Sequence, residues 1–387
     1  MTLPSTTGIY VQVPFCQTKC TYCNFHTGVF SPKLYAPYVE AVVTEIDRGA
    51  SSAPAEVALG PVDTIYIGGG TPSLLEPSAL ARIIAAIREH FATAEELEVT
   101  LEADPETITA AKSAAWSEAG INRISLGVQS FNDAELKASG RMHRAKDVAT
   151  AMDTLRESGI TNISADLIAG MPYQTPSTWQ HSLEDLQALR PEHISIYLME
   201  IDAESHLGAE VIAGGARYSA KEIPTDDAMA DSYERAQEFL ASAGYEHYEI
   251  SNWALPGYRS RHNLKYWRRT PYFGFGAGAH SFDGARRWSN IHDPNAYVAA
   301  IQQQGQLHDQ DEILTSQQSL DEELFLGLRQ LDGIDTVEIE RRYNTPLRGR
   351  LAPLEAQGLL ESSNGRTKLA PTRLTVSNEV FTELLTG

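Results

Sequence analysis

Short apolar runs rich in β-branched residues alternate with longer amphipathic segments through the first two-thirds of the 387-residue chain. The apolar runs predict strands, and the segments between them, with apolar residues at helical spacing, predict helices. This alternation favours a parallel sheet with helices on its outside. The predicted strands are residues 9–13, 64–67, 98–101, 123–128, 163–168 and 194–198. The predicted helices between them are residues 35–48, 78–90, 108–119, 145–157 and 178–189.

The regular alternation of predicted strands and helices ends after residue 200. An acidic helix (226–243) and a short strand (246–250) precede a stretch rich in Gly and aromatic residues. Three short helices (319–331, 336–343 and 347–357), a hairpin (359–369) turning at Asn364-Gly365, and a last helix (377–385) follow. Helices followed by a hairpin predict a winged-helix-like module. We therefore expect a core in residues 1–235, an extension in 236–305 and this module in 306–387.

Composition and net charge argue against several classes of protein. The chain is 42% hydrophobic and 21% charged, as in ordinary globular proteins, and its apolar runs are too short to span a membrane. Residues 1–8 lack a basic region followed by an apolar one, so no secretory signal is expected. A net charge of −20 argues against nucleic acid as a partner. In so acidic a chain, the winged-helix-like module is expected to pack on the core or bind a protein.

All three cysteines, Cys16, Cys20 and Cys23, fall within eight residues. An odd, clustered set is not a disulfide framework, and thiolates this close usually share a metal centre. On a four-iron cluster, three thiolates would hold three irons and leave the fourth open to an exchangeable ligand. The alternative is a Cys3His zinc site completed by His26.

The C-x3-C-x2-C spacing resembles that of the radical S-adenosylmethionine (SAM) superfamily, whose open iron chelates the amino and carboxylate groups of SAM. Tyr10, six residues before Cys16, and the sequence Pro14-Phe15-Cys16 resemble two related groups, the oxygen-independent coproporphyrinogen III oxidases and the HemW-type heme chaperones. The resemblance implies an α/β fold, a partial (β/α)6 barrel, with a [4Fe-4S] cluster and SAM at the carboxyl ends of the strands. An oxygen-sensitive cluster and free thiols fit the cytoplasm.

Residues at predicted strand ends extend the resemblance. Gly68-Gly69-Gly70-Thr71 lacks the lysine of a phosphate-binding loop and by itself predicts a tight turn, but in this place it resembles the SAM glycine motif. Glu102 suits a ribose, whereas Asp104 and Glu106 fit better as acids at a helix N-terminus. The SAM contacts implied are Tyr10, Tyr22, Gly69, Gly70, Thr71, Glu102, Gln129, Arg141 and Asp166.

Alternatives stay open for several of these residues. In the coproporphyrinogen oxidase group, the residues matching Gln129, Arg141 and Asp166 contact SAM, partly at a second SAM site. The alternative for Arg141 and for Asp166 is a structural ion pair. The number of SAM molecules is therefore left open.

Two features favour the chaperone branch. The oxidases carry a further cysteine where this chain has Phe25. Residues 261–267 resemble the H-N-x-x-Y-W sequence associated with heme binding in the chaperones, which implies His262, Tyr266 and Trp267 as heme-binding residues. An imidazole can ligate heme iron, and aromatic rings can cover the porphyrin. The alternative for His262 is a hydrogen-bonded structural histidine, and His280 is a second candidate ligand.

The leading hypothesis is a heme chaperone that delivers heme to an acceptor protein, either at the membrane or away from it. The cluster and SAM would then serve structure, dimerisation or control of heme transfer, so a homodimer is among the expected states. The rival is oxidative decarboxylation of coproporphyrinogen III by radical SAM chemistry, and another radical SAM reaction is a third reading. No catalytic residue is assigned. The basic run from Arg259 to Arg269 suits heme propionates or a solvated surface.

Overall fold

The computed structural model describes residues 6–52 and 60–386. The expectation of no secretory signal rests on residues 1–8, of which 1–5 lie outside the described residues. Within the described part of the chain, twelve strands form one sheet and three strands form a second. No helix there combines the length and the apolar character that crossing a bilayer requires.

Six parallel strands in chain order form the centre of the large sheet, which confirms the predicted α/β architecture. Their side chains alternate between two environments, as strand geometry requires. In the first strand, Ile9, Val11 and Val13 are fully buried in the hydrophobic core, whereas Tyr10 contacts polar and aromatic side chains. The strands are β1 (Thr7–Val13), β2 (Val62–Gly69), β3 (Thr93–Ala103), β4 (Arg123–Gln129), β5 (Asn162–Ala169) and β6 (His193–Leu198).

Helices connect these strands and bury their apolar faces against the sheet. In the second helix, Leu80, Ile83, Ile84 and Ile87 are buried at the i, i+3, i+4 and i+7 spacing of one helical face. Between β1 and β6 lie α1 (Tyr35–Ser52), α2 (Pro77–His90), α3 (Ala110–Glu118), α4 (Asp133–Ala138), α5 (Ala145–Glu157) and α6 (Pro176–Leu189). The short helix α4 was not among the predicted elements.

The middle of the chain extends the sheet on both sides. One strand pairs in parallel with β1, and another pairs antiparallel with β6, so the sheet keeps two open edges. The elements are α7 (His206–Ile212), α8 (Asp226–Ser242), β7 (Glu246–Glu249), β8 (Asn252–Ala254), α9 (Arg261–Trp267), β9 (Tyr272–Phe275), β10 (His280–Phe282), β11 (Arg286–Asn290), α10 (Pro294–Gln303) and β12 (His308–Ile313). The sheet order is β12-β11-β10-β9-β1-β2-β3-β4-β5-β6-β8-β7.

The C-terminal part packs on this sheet. Its first helix ends beside β7, where Ile250 N donates to Arg329 O (3.1 Å) and Leu331 N donates to Tyr248 O (3.1 Å). The predicted hairpin is present, and its turn residue Asn364 has a φ of +52°, a conformation that two-residue hairpin turns require. The elements are α11 (Ser316–Leu328), β13 (Ile334–Asp335), α12 (Thr336–Tyr343), α13 (Arg348–Ala356), β14 (Leu360–Ser363), β15 (Arg366–Leu369) and α14 (Ser377–Thr386).

Candidate functional site

A cavity of about 360 Å3 lies where the parallel strands reach their carboxyl ends. Most of the residues expected to contact the cluster or SAM line it, although they come from six separate strand ends and loops. Tyr10 is the exception and lies outside the lining. The expected residues that line the cavity are Cys16, Cys20, Tyr22, Cys23, Gly69, Gly70, Thr71, Glu102, Gln129, Arg141 and Asp166.

Backbone hydrogen bonds hold the base of the cysteine loop that follows β1. Cys16 N donates to Gly28 O (2.9 Å), and Gly28 N donates to Pro14 O (3.0 Å). Across the sheet, Thr71 N donates to Phe15 O (2.7 Å). The loop carrying the first cysteine is therefore tied both to itself and to the end of β2.

The second half of the loop is held from two other sides. Thr21 N donates to Ser139 O (3.2 Å) at the end of α4, and Leu207 N of α7 donates to Thr21 O (2.7 Å). Cys23 N donates to Cys20 O (3.2 Å) in a tight turn. These contacts bring Cys20 and Cys23 to the same cavity as Cys16.

The three thiols fit an iron–sulfur cluster better than a single ion. They are free, and burial raises the pKa of Cys16 to about 11, so a bound metal would supply the charge that holds the thiolate. In residues 6–52 and 60–386, no three His, Cys, Asp or Glu side chains converge as one metal ion requires. The His26 ring instead lies against His292, with centroids 4.4 Å apart. A cluster needs no such convergence because each cysteine binds its own iron.

The glycines after β2 make room for the cysteine loop. A Cβ on Gly70 would lie 2.6 Å from Phe15 O and 2.9 Å from Cys16 Sγ. Gly69 has a φ of +114°, which disfavours any side chain. The motif therefore has a structural cause in this fold in addition to the SAM contact that the resemblance implies.

Both carboxylate oxygens of Glu102 are engaged inside the barrel. Oε1 accepts from Tyr66 OH (2.8 Å), and Oε2 accepts from Gly69 N (2.8 Å). Burial raises the pKa of Glu102 to about 7. Tyr10 stacks on Tyr66 with ring centroids 6.1 Å apart. Tyr10 thus supports the tyrosine that holds Glu102.

Arg141 forms the ion pair that was its alternative role. Its Nη2 donates to Asp104 and to Gly127 O (2.7 Å), and its Nη1 donates to Cys20 Sγ (3.7 Å). Burial opposes the charge, yet Asp104 raises the pKa of Arg141 well above its ordinary value. Asp104 also accepts from Thr71 Oγ1 (3.0 Å). The sequence indicates for Asp104 only an acid at a helix N-terminus, and its position directly after β3 is the feature that points to the cavity.

Gln129 and Asp166 complete the polar side of the cavity. Gln129 ends β4 with a φ of +64°, a conformation that non-glycine residues seldom adopt. Asp166 accepts from Ser125 Oγ (3.1 Å) and Ser164 Oγ (3.3 Å), and burial raises its pKa. Among the ion pairs that the described residues form, none includes Asp166, so its contacts are those of a hydrogen-bonded carboxyl group.

Sequence reasoning missed Arg123, which entered it only as the start of a strand. The residue is 2% exposed and lines the inner part of the cavity. Its Nε has no hydrogen-bond partner in the described part of the chain. Burial raises the pKa of Asp166, and the nearby positive charge of Arg123 opposes that rise, so the guanidinium already interacts with one carboxyl group. Its unpartnered Nε suits ordered water or a polar group of a ligand.

The three residues expected to bind heme lie outside this cavity. His262 is 1% exposed, with Nδ1 at 2.9 Å from Thr64 Oγ1 and Nε2 at 2.9 Å from Tyr266 OH. Burial lowers the pKa of His262 to about 3. The Trp267 ring contacts Arg329, whose guanidinium carbon lies 4.5 Å from its centroid. Iron ligation by His262 stays a prediction, and it would require breaking one of these two hydrogen bonds.

The basic run around α9 is largely paired with acids. Asp63 binds both Lys265 Nζ (2.6 Å) and Arg261 Nη2 (3.1 Å). Arg259 pairs with Glu246 (3.3 Å), and Arg269 pairs with Glu322 (3.2 Å). These cations fasten α9 to neighbouring elements, so they are not simply a solvated face.

Comparison with known proteins defines the family. Residues 10–186 match the radical SAM superfamily, and residues 314–372 match the HemN C-terminal domain. The heme chaperone HemW of Bacillus subtilis is 33% identical over 377 residues, which cover 96% of this chain and 97% of that protein. This chain belongs to the HemW family of the radical SAM superfamily. The heme chaperone HemW of Lactococcus lactis is 32% identical over 380 residues, covering 97% and 96% of the two chains.

A solved structure confirms the fold of this HemW-family chain. Coproporphyrinogen III oxidase (HemN) from Escherichia coli, described as a radical SAM enzyme, matches with a TM-score of 0.84. The match covers 99% of this chain and 91% of that chain at 22% identity. At this identity the likeness shows a shared architecture. It confirms the expected α/β radical SAM fold with a C-terminal domain, whereas the winged-helix-like character of that domain stays a prediction.

Proposed function

We propose that this HemW-family chain is a heme chaperone that binds heme and transfers it to an acceptor protein. The observation that carries the proposal is similarity over nearly the whole chain to proteins named heme chaperone HemW. Phe25 supports it, because it stands where the coproporphyrinogen oxidases carry a further cysteine and projects at the rim of the cavity with 67% of its surface exposed.

The resident cofactors in this proposal are a [4Fe-4S] cluster on Cys16, Cys20 and Cys23 and SAM beside it. When bound, the cluster supplies an electron-transfer centre whose open iron can chelate SAM. The chain's own residues prepare the place for both. Gly70 lets the cysteine loop approach β2, and Arg141 directs positive charge at Cys20.

The remaining SAM contacts are proposed from the cavity lining. Glu102, Asp166 and Gln129 present oxygen and amide groups to the cavity, and Tyr22 covers the side next to Cys20. The cluster and SAM would stabilise the loop or control heme transfer, and a second copy of the chain is a further proposed partner. Cytoplasmic location follows from the free thiols in the same proposal.

The second candidate is a coproporphyrinogen III dehydrogenase. The cavity favours it, since the three cysteines and eight of the nine expected SAM residues line one space at the strand ends. In that function the site would convert propionate side chains to vinyl groups with release of CO2, and SAM and an electron acceptor would take up the hydrogen atom and the electron that are removed. The missing fourth cysteine at Phe25 is what ranks it second.

One anaerobic experiment separates the two functions. Reconstituted protein is titrated with hemin and, in parallel, incubated with SAM, a reductant and coproporphyrinogen III. A Soret band that saturates at one heme per chain, with no protoporphyrinogen formed, is the expected result. Protoporphyrinogen formation would establish the dehydrogenase instead, and absence of heme binding would defeat the chaperone proposal.

A further inference from the structure

Three histidines from distant parts of the sequence meet beside the cysteine loop. His26 follows Cys23 by three residues, His280 begins β10, and His292 follows β11. The ring centroids of His26 and His292 are 4.4 Å apart, and those of His280 and His292 are 6.4 Å apart. We define His26, His280 and His292 as the histidine cluster.

Unlike His262, the histidine cluster offers ring nitrogens to a ligand. His26 and His280 are exposed. His292 is only partly exposed, and its Nδ1, which has no hydrogen-bond partner among residues 6–52 and 60–386, is enclosed by the protein. Both ring nitrogens of His262 are engaged inside the protein. An iron ligand needs an accessible nitrogen lone pair, and the exposed imidazoles of His26 and His280 meet this requirement better than the enclosed His262 does.

Apolar side chains are exposed on the same loop. Phe25 is 67% exposed and Val29 is 63% exposed, and they flank His26 in the sequence. Met142, 53% exposed, lines the cavity rim together with Phe25. Large apolar side chains grouped on a surface mark an interaction site, and a porphyrin is a flat apolar ligand whose iron takes an imidazole.

We propose that heme binds on this surface, with an imidazole of the histidine cluster as an iron ligand and with Phe25 and Val29 against the porphyrin. The inference rests on the proposed chaperone function and names its heme site. Heme iron takes one or two protein ligands, so three converging side chains are not needed.

The proposed heme ligand His26 lies on the same loop as the cluster ligands. His26 lies on the loop that carries all three cysteines, and Gly28 of that loop accepts from Cys16 N. A cluster on the three cysteines and heme on His26 would therefore share one loop.

Two rival sites exist in the described part of the chain. One is His262 in α9. The other is a cavity of about 490 Å3 on the outer face of the sheet, where Phe91, Phe273 and Trp288 lie near His308. Its aromatic walls and its imidazole make this cavity an alternative binding site for a porphyrin.

Hemin titration of cluster-loaded protein discriminates among the three sites. The combined variant His26→Ala/His280→Ala/His292→Ala should weaken hemin binding at least roughly tenfold and change the Soret position, because the iron loses its ligand. The variants His262→Ala and His308→Ala should keep both the affinity and the spectrum. His181→Ala, at an exposed histidine of α6, is the matched control. Circular dichroism and iron content verify the fold and the cluster of each variant.

The outcomes separate this inference from the function on which it rests. If the wild type binds no hemin, the chaperone proposal fails. If the wild type binds hemin and the combined variant binds it equally well with an unchanged spectrum, the chaperone proposal stands and the histidine cluster is wrong. A loss confined to His262→Ala or to His308→Ala would likewise overturn it and identify the rival site.

A second pair of variants tests the apolar contacts. Phe25→Ser/Val29→Ser should lower hemin affinity several-fold while the Soret position stays, because the iron ligand is intact. Val337→Ser is the control, since Val337 is 64% exposed in the C-terminal module and should leave affinity unchanged. If the hemin affinity of Phe25→Ser/Val29→Ser is unchanged, the porphyrin does not bind on this surface.

Discussion

The guanidinium of Arg141 donates a hydrogen bond to the sulfur of Cys20, with Nη1 and Sγ 3.7 Å apart. The same guanidinium pairs with Asp104 at the end of β3. One side chain thus joins the cysteine loop to the carboxyl end of the sheet. In this arrangement Arg141 positions the loop, and any contact with SAM would be made from an already anchored group.

Removing Arg141 should destabilise the protein strongly. In Arg141→Met, Asp104 remains as a partly buried, unpaired carboxylate, and breaking such pairs costs about 3–5 kcal/mol. Urea unfolding of the cluster-free protein measures the change. The double variant Asp104→Asn/Arg141→Met should recover part of the loss, because no lone charge remains. Equal losses in the single and double variants would show that the pair is not the cause.

Gly70→Ala should impair cluster assembly. The new Cβ would press on Phe15 O at 2.6 Å and on Cys16 Sγ at 2.9 Å, so the loop must move. We expect iron per chain after anaerobic reconstitution to fall by roughly half or more, because sites tolerate displacements of only about 0.5 Å. Gly349→Ala in α13 is the control, since a Cβ there meets nothing within 4 Å. Full iron loading of Gly70→Ala would contradict the prediction.

Glu45 should make stability fall as pH rises. It is buried, accepts from Gly276 N (2.8 Å) and Asn290 Nδ2 (2.7 Å), and burial raises its pKa from 4.5 to about 7. Between pH 4.5 and 7, Glu45 is ionised in the unfolded chain but still largely neutral in the folded protein. The stability that the neutral acid provides is therefore lost progressively as pH rises. Linkage makes the loss about 3 kcal/mol between pH 4.5 and 7, with no further change above.

The pH effect is measured as the difference in unfolding free energy between the wild type and a variant. Glu45→Gln should lack this fall, so the unfolding free energies of wild type and variant should converge or cross as pH rises from 4.5 to 7. Glu40→Gln on the same helix is the control, because Glu40 is exposed and Arg82 lowers its pKa. If the difference in unfolding free energy between wild type and Glu45→Gln does not vary with pH, the pKa of Glu45 is not raised in the folded protein and the prediction is wrong.

His262→Ala should act on stability before it acts on heme. The substitution removes buried hydrogen bonds to Thr64 and Tyr266 and leaves a cavity, which together should cost at least about 2 kcal/mol. Urea unfolding measures this cost, and His181→Ala should change stability by less than about 0.5 kcal/mol. Normal stability combined with a lost Soret band would instead favour His262 as the iron ligand.

Local patterns were sufficient for much of the fold. All six core strands were predicted, with ends displaced most at β3, which begins at Thr93, before the predicted start at residue 98. That extra length lies outside the apolar run, and its residues are mostly exposed or half-buried, so hydrophobic pattern does not signal it. The Asn364-Gly365 turn was predictable because few residues adopt positive φ readily.

The candidate site was only partly predictable. The cysteine spacing and the strand-end motifs pointed to residues that do line one cavity. Tyr10 as a SAM contact stays a prediction, because its ring is outside the cavity lining but stacks on Tyr66, which lines the cavity. The pairing of Arg141 with Asp104 and the burial of His262 depend on chain segments that no spacing rule connects.

By itself, the sequence determined the six core strands, the hairpin turn and the cysteine motif, because strand alternation, turn conformation and thiol spacing are properties of neighbouring residues. Only the tertiary structure decided which of those groups remain available. His262 is enclosed by Thr64 and Tyr266, whereas His26, His280 and His292 meet at the surface from distant parts of the chain. Burial and hydrogen bonding arise from packing between distant segments, and they set the reactivity of a side chain as strongly as its identity does.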